Sequence, residues 1–332
     1  MKKKHSLKII FGILISLLFL WFVFRKIDFL EVLIHLKNLK ISWLIVFIII
    51  FLFNFALKGI RWSALTVDKY KNTLLFTRSF ITGMMLNNLL PLRMGDLIRA
   101  YLVSKRLNLK KSTMFGTVVI ERFFDILSLF ILLSLFIVIA DFEISDFIRN
   151  IAKAGIIVGL SGFIFLIILS RKKTRILEKI DSLHNINFFK KITGFIDSVI
   201  EGFDVLNHNH HIVGVAFLSL LVWLFEAFSF MMIGLAFGLE LNLFAYIFLM
   251  ISVCLGTLIP SGPGYVGVFE GATIGVLALF GIEKEIALAY AIVLHTIQII
   301  VVTLAGIVCA AKEGWSMKDL GEIKGKSVQE LK

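Results

Sequence analysis

The chain has 332 residues, of which 58% are hydrophobic and 17% charged, with a formal net charge of +12. No soluble domain of this length hides so much apolar surface, so a purely soluble fold is excluded. The basic residues cluster between apolar runs, which points to anionic lipid headgroups as partners and away from nucleic acid.

A helical span needs about 20 mainly apolar residues. The N-terminus reads Met-Lys-Lys-Lys-His before an apolar run over 7–24. That run is long for a signal core, and no small-residue cleavage site follows, so it reads as an uncleaved first span. Further spans are expected at 42–60, 116–140, 154–170, 212–238 and 286–311. Regions 74–104 and 243–282 are apolar but interrupted. They hold Pro91, Pro260 and Pro263, the only prolines in the chain. Proline removes a backbone donor. Such breaks are tolerated at membrane depth only where protein or a wet cavity satisfies the freed groups.

The expected fold is an all-α polytopic membrane protein with about six full spans and two proline-broken re-entrant hairpins, or about eight spans if both hairpins cross fully. The membrane domain covers 1–311, and a polar cytoplasmic tail covers 312–332. Between the spans, 171–211 carries Phe188, Ile192, Phe195, Val199, Phe203 and Leu206 at helical spacing, an amphipathic cytoplasmic segment. Cys254 and Cys309 lie far apart in apolar runs and read as small core residues without a disulfide.

The two broken regions share the pattern L-x-x-L-[LI]-P-x-x-x-G, at Leu86–Gly95 and at Leu255–Gly264. A long span follows each copy. Within those spans Glu121-Arg122-x-x-Asp125 aligns loosely with Leu294-His295-x-x-Gln298. The repeat halves are therefore expected at 74–140 and 243–311. The positive-inside rule puts both termini in the cytoplasm, with most of the 35 Lys and Arg on that side. The first hairpin then enters from the cytoplasm and the second from outside. Inverted repeats with broken helices point to a transport site near the midplane.

Three clusters carry the chemistry. Arg93, Asp96 and Arg99 are spaced by three, on one helical face, where two arginines grip a phosphate and the acid fixes their rotamers. The alternative is a charged loop that anchors the membrane edge. Gly95 and Pro91 read as a hinge. Glu121, Arg122 and Asp125 lie inside an apolar run, where each charge costs about 2.5–3.5 kcal/mol to insert. They form a functional triad or a structural ion pair. The third cluster is Pro260-Ser-Gly262-Pro263-Gly264-Tyr265-x-Gly267-x-x-Glu270. It forbids a continuous helix and offers a helix N-terminus, beginning near Tyr265, to an anion. Glu270 reads as a proton-coupling carboxyl or as a protonated structural one. Glu226 and His295 stand alone in their spans. His208, His210 and His211 lack an accompanying acid or cysteine, so no metal is expected. No Walker motif occurs, and no cofactor is expected.

Asn87-x-x-x-Pro91-x-Arg93-x-Gly95-Asp96-x-x-Arg99, then Glu121-Arg122-x-x-Asp125, then Pro260-x-Gly262-x-Gly264-x-x-Gly267-x-x-Glu270 resembles the lysylphosphatidylglycerol synthase transmembrane region, or flippase-like domain family. The resemblance runs from the first span to Ala311. It implies a polytopic domain that moves or presents lipids. Longer members carry a soluble aminoacyl-transfer domain that has no counterpart in these residues, so synthase activity is not expected. His295 stands where the family pattern suggests a basic residue, often Arg. The resulting expectation is a cell-membrane lipid translocase for an anionic phospholipid, an aminoacylated phospholipid or a polyprenyl-phosphate-linked lipid. Its substrate would touch Arg93, Asp96, Arg99, Glu121, Arg122, Asp125, Gly262, Gly264, Gly267 and Glu270. Pro91, Gly95, Pro260 and Pro263 would form the hinges. The alternatives are a membrane-embedded lipid-modifying transferase, or a scaffold for a separate lipid- or glycan-modifying enzyme.

Overall fold

The computed structural model describes residues 27–66, 72–90, 94–139, 209–257 and 263–315, with a few isolated positions besides. The expected spans 7–24 and 154–170, the amphipathic segment 171–211 and the tail 312–332 lie wholly or largely outside these residues. So do Pro91, Arg93, Pro260 and Gly262. The described residues are helical, with no strand.

Among the described residues nine α-helices follow in order: α1 (Phe29–Lys37), α2 (Ile41–Ala64), α3 (Thr73–Leu89), α4 (Met94–Arg106), α5 (Lys111–Ile139), α6 (Asn209–Ala236), α7 (Leu243–Gly256), α8 (Val268–Leu279) and α9 (Lys284–Lys312). A 3-10 turn, Pro263–Tyr265, precedes α8. Side chains fix several starts. Asp28 accepts from the Leu30 N–H at 2.8 Å, Asn72 from Leu75 at 3.1 Å, and Asn242 from Ala245 at 2.9 Å. Each satisfies a backbone donor that the first helical turn leaves open. α3 stops just before Pro91, whose ring disfavours helix in the residue ahead of it.

Residues Ile41–Ala64, His211–Ala236 and Lys284–Lys312 form helices long and apolar enough to cross a membrane. α5 is equally long but carries Glu121, Arg122 and Asp125. The expected breaks are present. α3 packs against α4, and α7 against α8, so each proline-bearing segment joins two short packed helices. At about 1.5 Å per residue these four helices are roughly 18–26 Å long, short of the ~30 Å hydrocarbon layer. α1 was not expected. It is short, and its Leu30, Leu33 and Ile34 are exposed.

The bundle is organised around α2, α3 and α9. α2 lies between α3 and α6, and α9 packs on α3 and α8. Phe47, Phe51 and Phe55 of α2 form a buried row, the first two rings stacked at 5.2 Å and the last two edge to face at 4.9 Å. α3 and α4 approach backbone to backbone. A Cβ on Gly95 would overlap the Gly83 carbonyl oxygen, so the crossing needs both glycines. The expected hinge residue Gly95 falls in the first turn of α4. The residue sits inside α4 without a left-handed φ, and its smallness serves packing.

Candidate functional site

The charged side chains of the bundle close into a ring. Arg99 forks onto Glu121, with both guanidinium nitrogens 3.0 Å from the carboxylate oxygens. Its Nε donates to Asp96 at 3.1 Å. Asp96 in turn accepts from Arg122 at 2.6 Å, and Arg122 also donates to Asp125 at 3.2 Å. Asp125 accepts from Arg61 at 2.5 Å, and Arg61 lies 3.3 Å from Glu121, where the ring began. Three arginines and three carboxylates thus alternate, drawn from α2, α4 and α5.

Helical spacing places these groups. Asp96 and Arg99 are one turn apart on α4, and Arg122 and Asp125 one turn apart on α5, so each pair shares a face. The ring is dry on most of its circumference. The side chains of Arg61, Arg99 and Glu121 are at most 1% exposed, whereas that of Arg122 is 36% exposed. Trp62 and Phe80 hold the Arg99 guanidinium between their faces, 4.3 and 4.5 Å from the ring centres. Ser219 and Trp223 of α6 complete the shell. Arg61 donates to Ser219 at 3.3 Å, and Trp223 donates its indole N–H to Asp125 at 3.1 Å.

A second pair stands beside the ring. Lys58 Nζ and Asn54 Nδ2 both donate to Glu226 Oε2 at 2.7 Å. A third lies on α8 and α9. Glu270 Oε1 is 2.6 Å from His295 Nδ1, and Glu270 Oε2 accepts the Gly267 N–H at 2.6 Å. The backbone between α7 and α8 reaches this arrangement through left-handed residues, Gly264 at φ 72°, Tyr265 at φ 60° and Gly267 at φ 91°. Glycine adopts such angles freely, but tyrosine pays a penalty of about 1–2 kcal/mol.

These groups surround one cavity of about 210 Å³. Lys58, Arg61, Glu121, Arg122, Asp125 and Glu226 line it from one part of the bundle. Asn87, Asn88, Thr257, Tyr265, His295 and Gln298 line it from the helices around the broken segments. Arg122 and the Glu270-bound His295 thus face a common space. Of the expected site residues, Glu121, Arg122 and Asp125 line the cavity. Asp96, Arg99, Gly264, Gly267 and Glu270 stand behind the lining. Arg99 is fully buried, so it fixes Glu121 and Asp96 and does not reach into the cavity. The expected open helix N-terminus differs as well. α8 begins at Val268, and its own Glu270 already occupies the Gly267 N–H.

Arg61 was missed because the expected span ended at residue 60, which put it in a loop, and Lys58, inside that span, was passed over as a single charge near its end. Asn54, Lys58 and Arg61 are spaced by four and three, a polar stripe on an apolar helix. That spacing is the signal that would have found them.

Comparison with known proteins gives a consistent picture. The chain is 26% identical over 281 residues to a UPF0104 membrane protein of Methanothermobacter thermautotrophicus, covering 80% of this chain and 82% of that one. It is 30% identical over 224 residues to a UPF0104 membrane protein of Methanocaldococcus jannaschii, covering 67% of this chain and 92% of that one. It is 24% identical over 336 residues to the glycosyltransferase AglD of Haloferax volcanii, covering 90% of this chain and 53% of that one. No solved structure matches. The model of the lysylphosphatidylglycerol synthase TM region matches residues 9–306, which include the ring, the cavity and both broken segments, and the chain belongs to that family.

Proposed function

We propose that this protein is a lipid translocase of the cell membrane that passes an anionic, phosphate-bearing headgroup through the cavity. One observation carries the reading. A cavity lined by charged and polar groups among apolar side chains, with a partly exposed arginine, lies among helices long and apolar enough to span a bilayer. Charged side chains inside a membrane bundle mark substrate pathways. At about 210 Å³ the cavity has room for a headgroup alone, and acyl chains would stay in the lipid phase. Arg122 contacts the phosphate, and Asp96 and Asp125 orient its guanidinium. Arg61, Arg99 and Glu121 hold that arrangement rigid. Asn87, Asn88 and Gln298 supply neutral hydrogen bonds.

Both termini face the cytoplasm in this reading, and the broken segments are re-entrant hairpins of an inverted repeat. Side-chain placement supports the repeat. Met84 and Asn88 of the first copy correspond to Val253 and Thr257 of the second, and all four line the cavity. Arg122 and Asp125 correspond to His295 and Gln298, which also line it.

The test is transbilayer movement of labelled phosphatidylglycerol in proteoliposomes. Arg122→Gln is expected to slow it by about tenfold or more, the loss of one charge-assisted hydrogen bond. Undiminished movement in a folded Arg122→Gln protein would refute the reading.

The Haloferax relative bears the name glycosyltransferase, which favours a second reading in which this domain serves glycosyl transfer to a membrane lipid. Conversion of a lipid by the purified chain, without movement across the bilayer, would select it.

A further inference from the structure

The ring and the Lys58–Glu226 pair each cancel internally, and an ionised Glu270 beside a neutral His295 adds one further negative charge. Three arginines meet three carboxylates in the ring, and Lys58 meets Glu226. Arg122, the most exposed of the ring residues, is itself tied to Asp96 and Asp125. An anionic headgroup entering this space brings a negative charge that no fixed cation among the described lining residues is spare to meet. Confining an uncompensated charge away from water is costly. A lining group that gains a proton on binding would remove that cost.

His295 is placed to be that group. Imidazole is the side chain that changes charge near neutral pH. An ionised Glu270 only accepts hydrogen bonds, so the 2.6 Å contact puts a proton on His295 Nδ1. Glu270 is held by the Gly267 N–H through its other oxygen. The imidazole is stacked on Phe269, with ring centres 4.1 Å apart and planes inclined by 14°. The ring is thereby fixed on one edge and one face. Its remaining nitrogen, Nε2, has no hydrogen-bond partner among the described residues, yet the residue is only 7% exposed and lines the cavity.

Charged and titratable groups reach this space from several elements. α8 brings Glu270, which contacts His295 directly. α5 brings Glu121, Arg122 and Asp125, and α6 brings Glu226. α2 brings Lys58 and Arg61, α7 brings Cys254, and the turn before α8 brings Tyr265. α3 contributes Asn87 and Asn88 without charge, since its Arg78 is paired to Glu313. The charged groups of α1 do not line the cavity.

We propose that binding of an anionic phosphate headgroup draws one proton from water onto His295 Nε2, which then donates to a phosphate oxygen opposite Arg122. This rests on the translocase reading and makes headgroup binding proton-linked. Glu270 is a positioning residue: it sets the tautomer and the orientation of the ring.

The test is the affinity of the purified full chain, in detergent, for short-chain phosphatidylglycerol between about pH 6 and about pH 8.5, the range in which imidazole titrates. The phosphodiester keeps its charge throughout that window, so any change belongs to the protein. Wild-type affinity should fall with rising pH by up to about tenfold per unit, the limit for one linked proton. His295→Arg should bind without pH dependence and tightly at the alkaline end. His295→Gln should bind weakly and without pH dependence. Glu270→Gln should alter the pH profile, because the ring loses the partner that fixes its tautomer.

A flat wild-type profile overturns the proposal without needing any variant, and so does a full pH dependence in His295→Gln. A flat profile together with loss of binding in Arg122→Gln would leave the translocase reading standing alone. Absence of binding at every pH would remove both. Dimethyl phosphate serves as the free-anion probe. Tighter binding of the lipid than of dimethyl phosphate supports a headgroup site, and equal binding overturns it.

Discussion

Arg61 shows what a single residue does here. Its side chain is 1% exposed and joins Asp125, Glu121 and Ser219, which lie far along the chain. Removing one partner of a buried ion pair leaves the others charged and unpaired, at a cost of about 3–5 kcal/mol. Arg61→Leu should therefore lower the thermal unfolding midpoint of the detergent-purified protein sharply. Arg122→Gln should lower it less, because its side chain is 36% exposed and water already reaches it. Equal losses in the two variants would show that the ring does not divide into a buried frame and an exposed contact. The sequence makes part of this legible. Glu121, Arg122 and Asp125 stand out as charges inside an apolar run. Their closure with Asp96, Arg99 and Arg61 does not, because ring partners come from three helices and the partner of each side chain depends on helix packing. The sequence also leaves Arg99 and Arg122 indistinguishable as phosphate ligands, since burial separates them and burial is a tertiary property.

At the level of elements, prolines and apolar runs mark most of the architecture. The expected spans 42–60, 212–238 and 286–311 correspond to α2, α6 and α9, and both broken regions resolve into two helices each. The errors have physical reasons. α2 continues to Ala64 because Lys58 and Arg61 find carboxylates, so polarity does not end the helix. α1 escapes notice because its nine residues include charged ones and fall below the length of a span. The role of Gly95 is likewise hidden, since a glycine after a proline looks like a turn until a second helix is seen against it. The crossing of α3 and α4 gives a direct check. Gly95→Ala would press a methyl group into the Gly83 carbonyl, and overpacking of this kind costs about 1–3 kcal/mol. Gly275→Ala in α8 meets open space, and alanine favours helix over glycine by about 0.5–1 kcal/mol. The first variant should unfold at lower temperature than wild type, and the second at the same temperature or higher. Indifference to Gly95→Ala would mean that the two backbones do not touch.

For the whole molecule, the proposed pathway depends on how the two broken segments sit in the bilayer. α7 and α8 are about 21 and 18 Å long at 1.5 Å per residue, and neither covers a ~30 Å hydrocarbon layer alone. The backbone between them carries left-handed residues and would expose polar groups to lipid if it lay against the acyl chains. Placing that turn against the cavity, with Tyr265 in its lining, satisfies both constraints. A re-entrant hairpin keeps Ile259, between α7 and α8, away from cytoplasmic water, whereas two full spans would deliver it there. Single cysteines in a chain with Cys254→Ala and Cys309→Ala separate these arrangements. A membrane-impermeant maleimide should label Lys110→Cys only from the cytoplasmic face and Glu283→Cys only from the opposite face. Ile259→Cys should react with it far more slowly than Lys110→Cys does. Labelling of Ile259→Cys from the cytoplasmic face at the rate of a loop thiol would make the segment a pair of true spans, and labelling of Lys110→Cys and Glu283→Cys from one face would remove the inverted arrangement on which the midplane site depends.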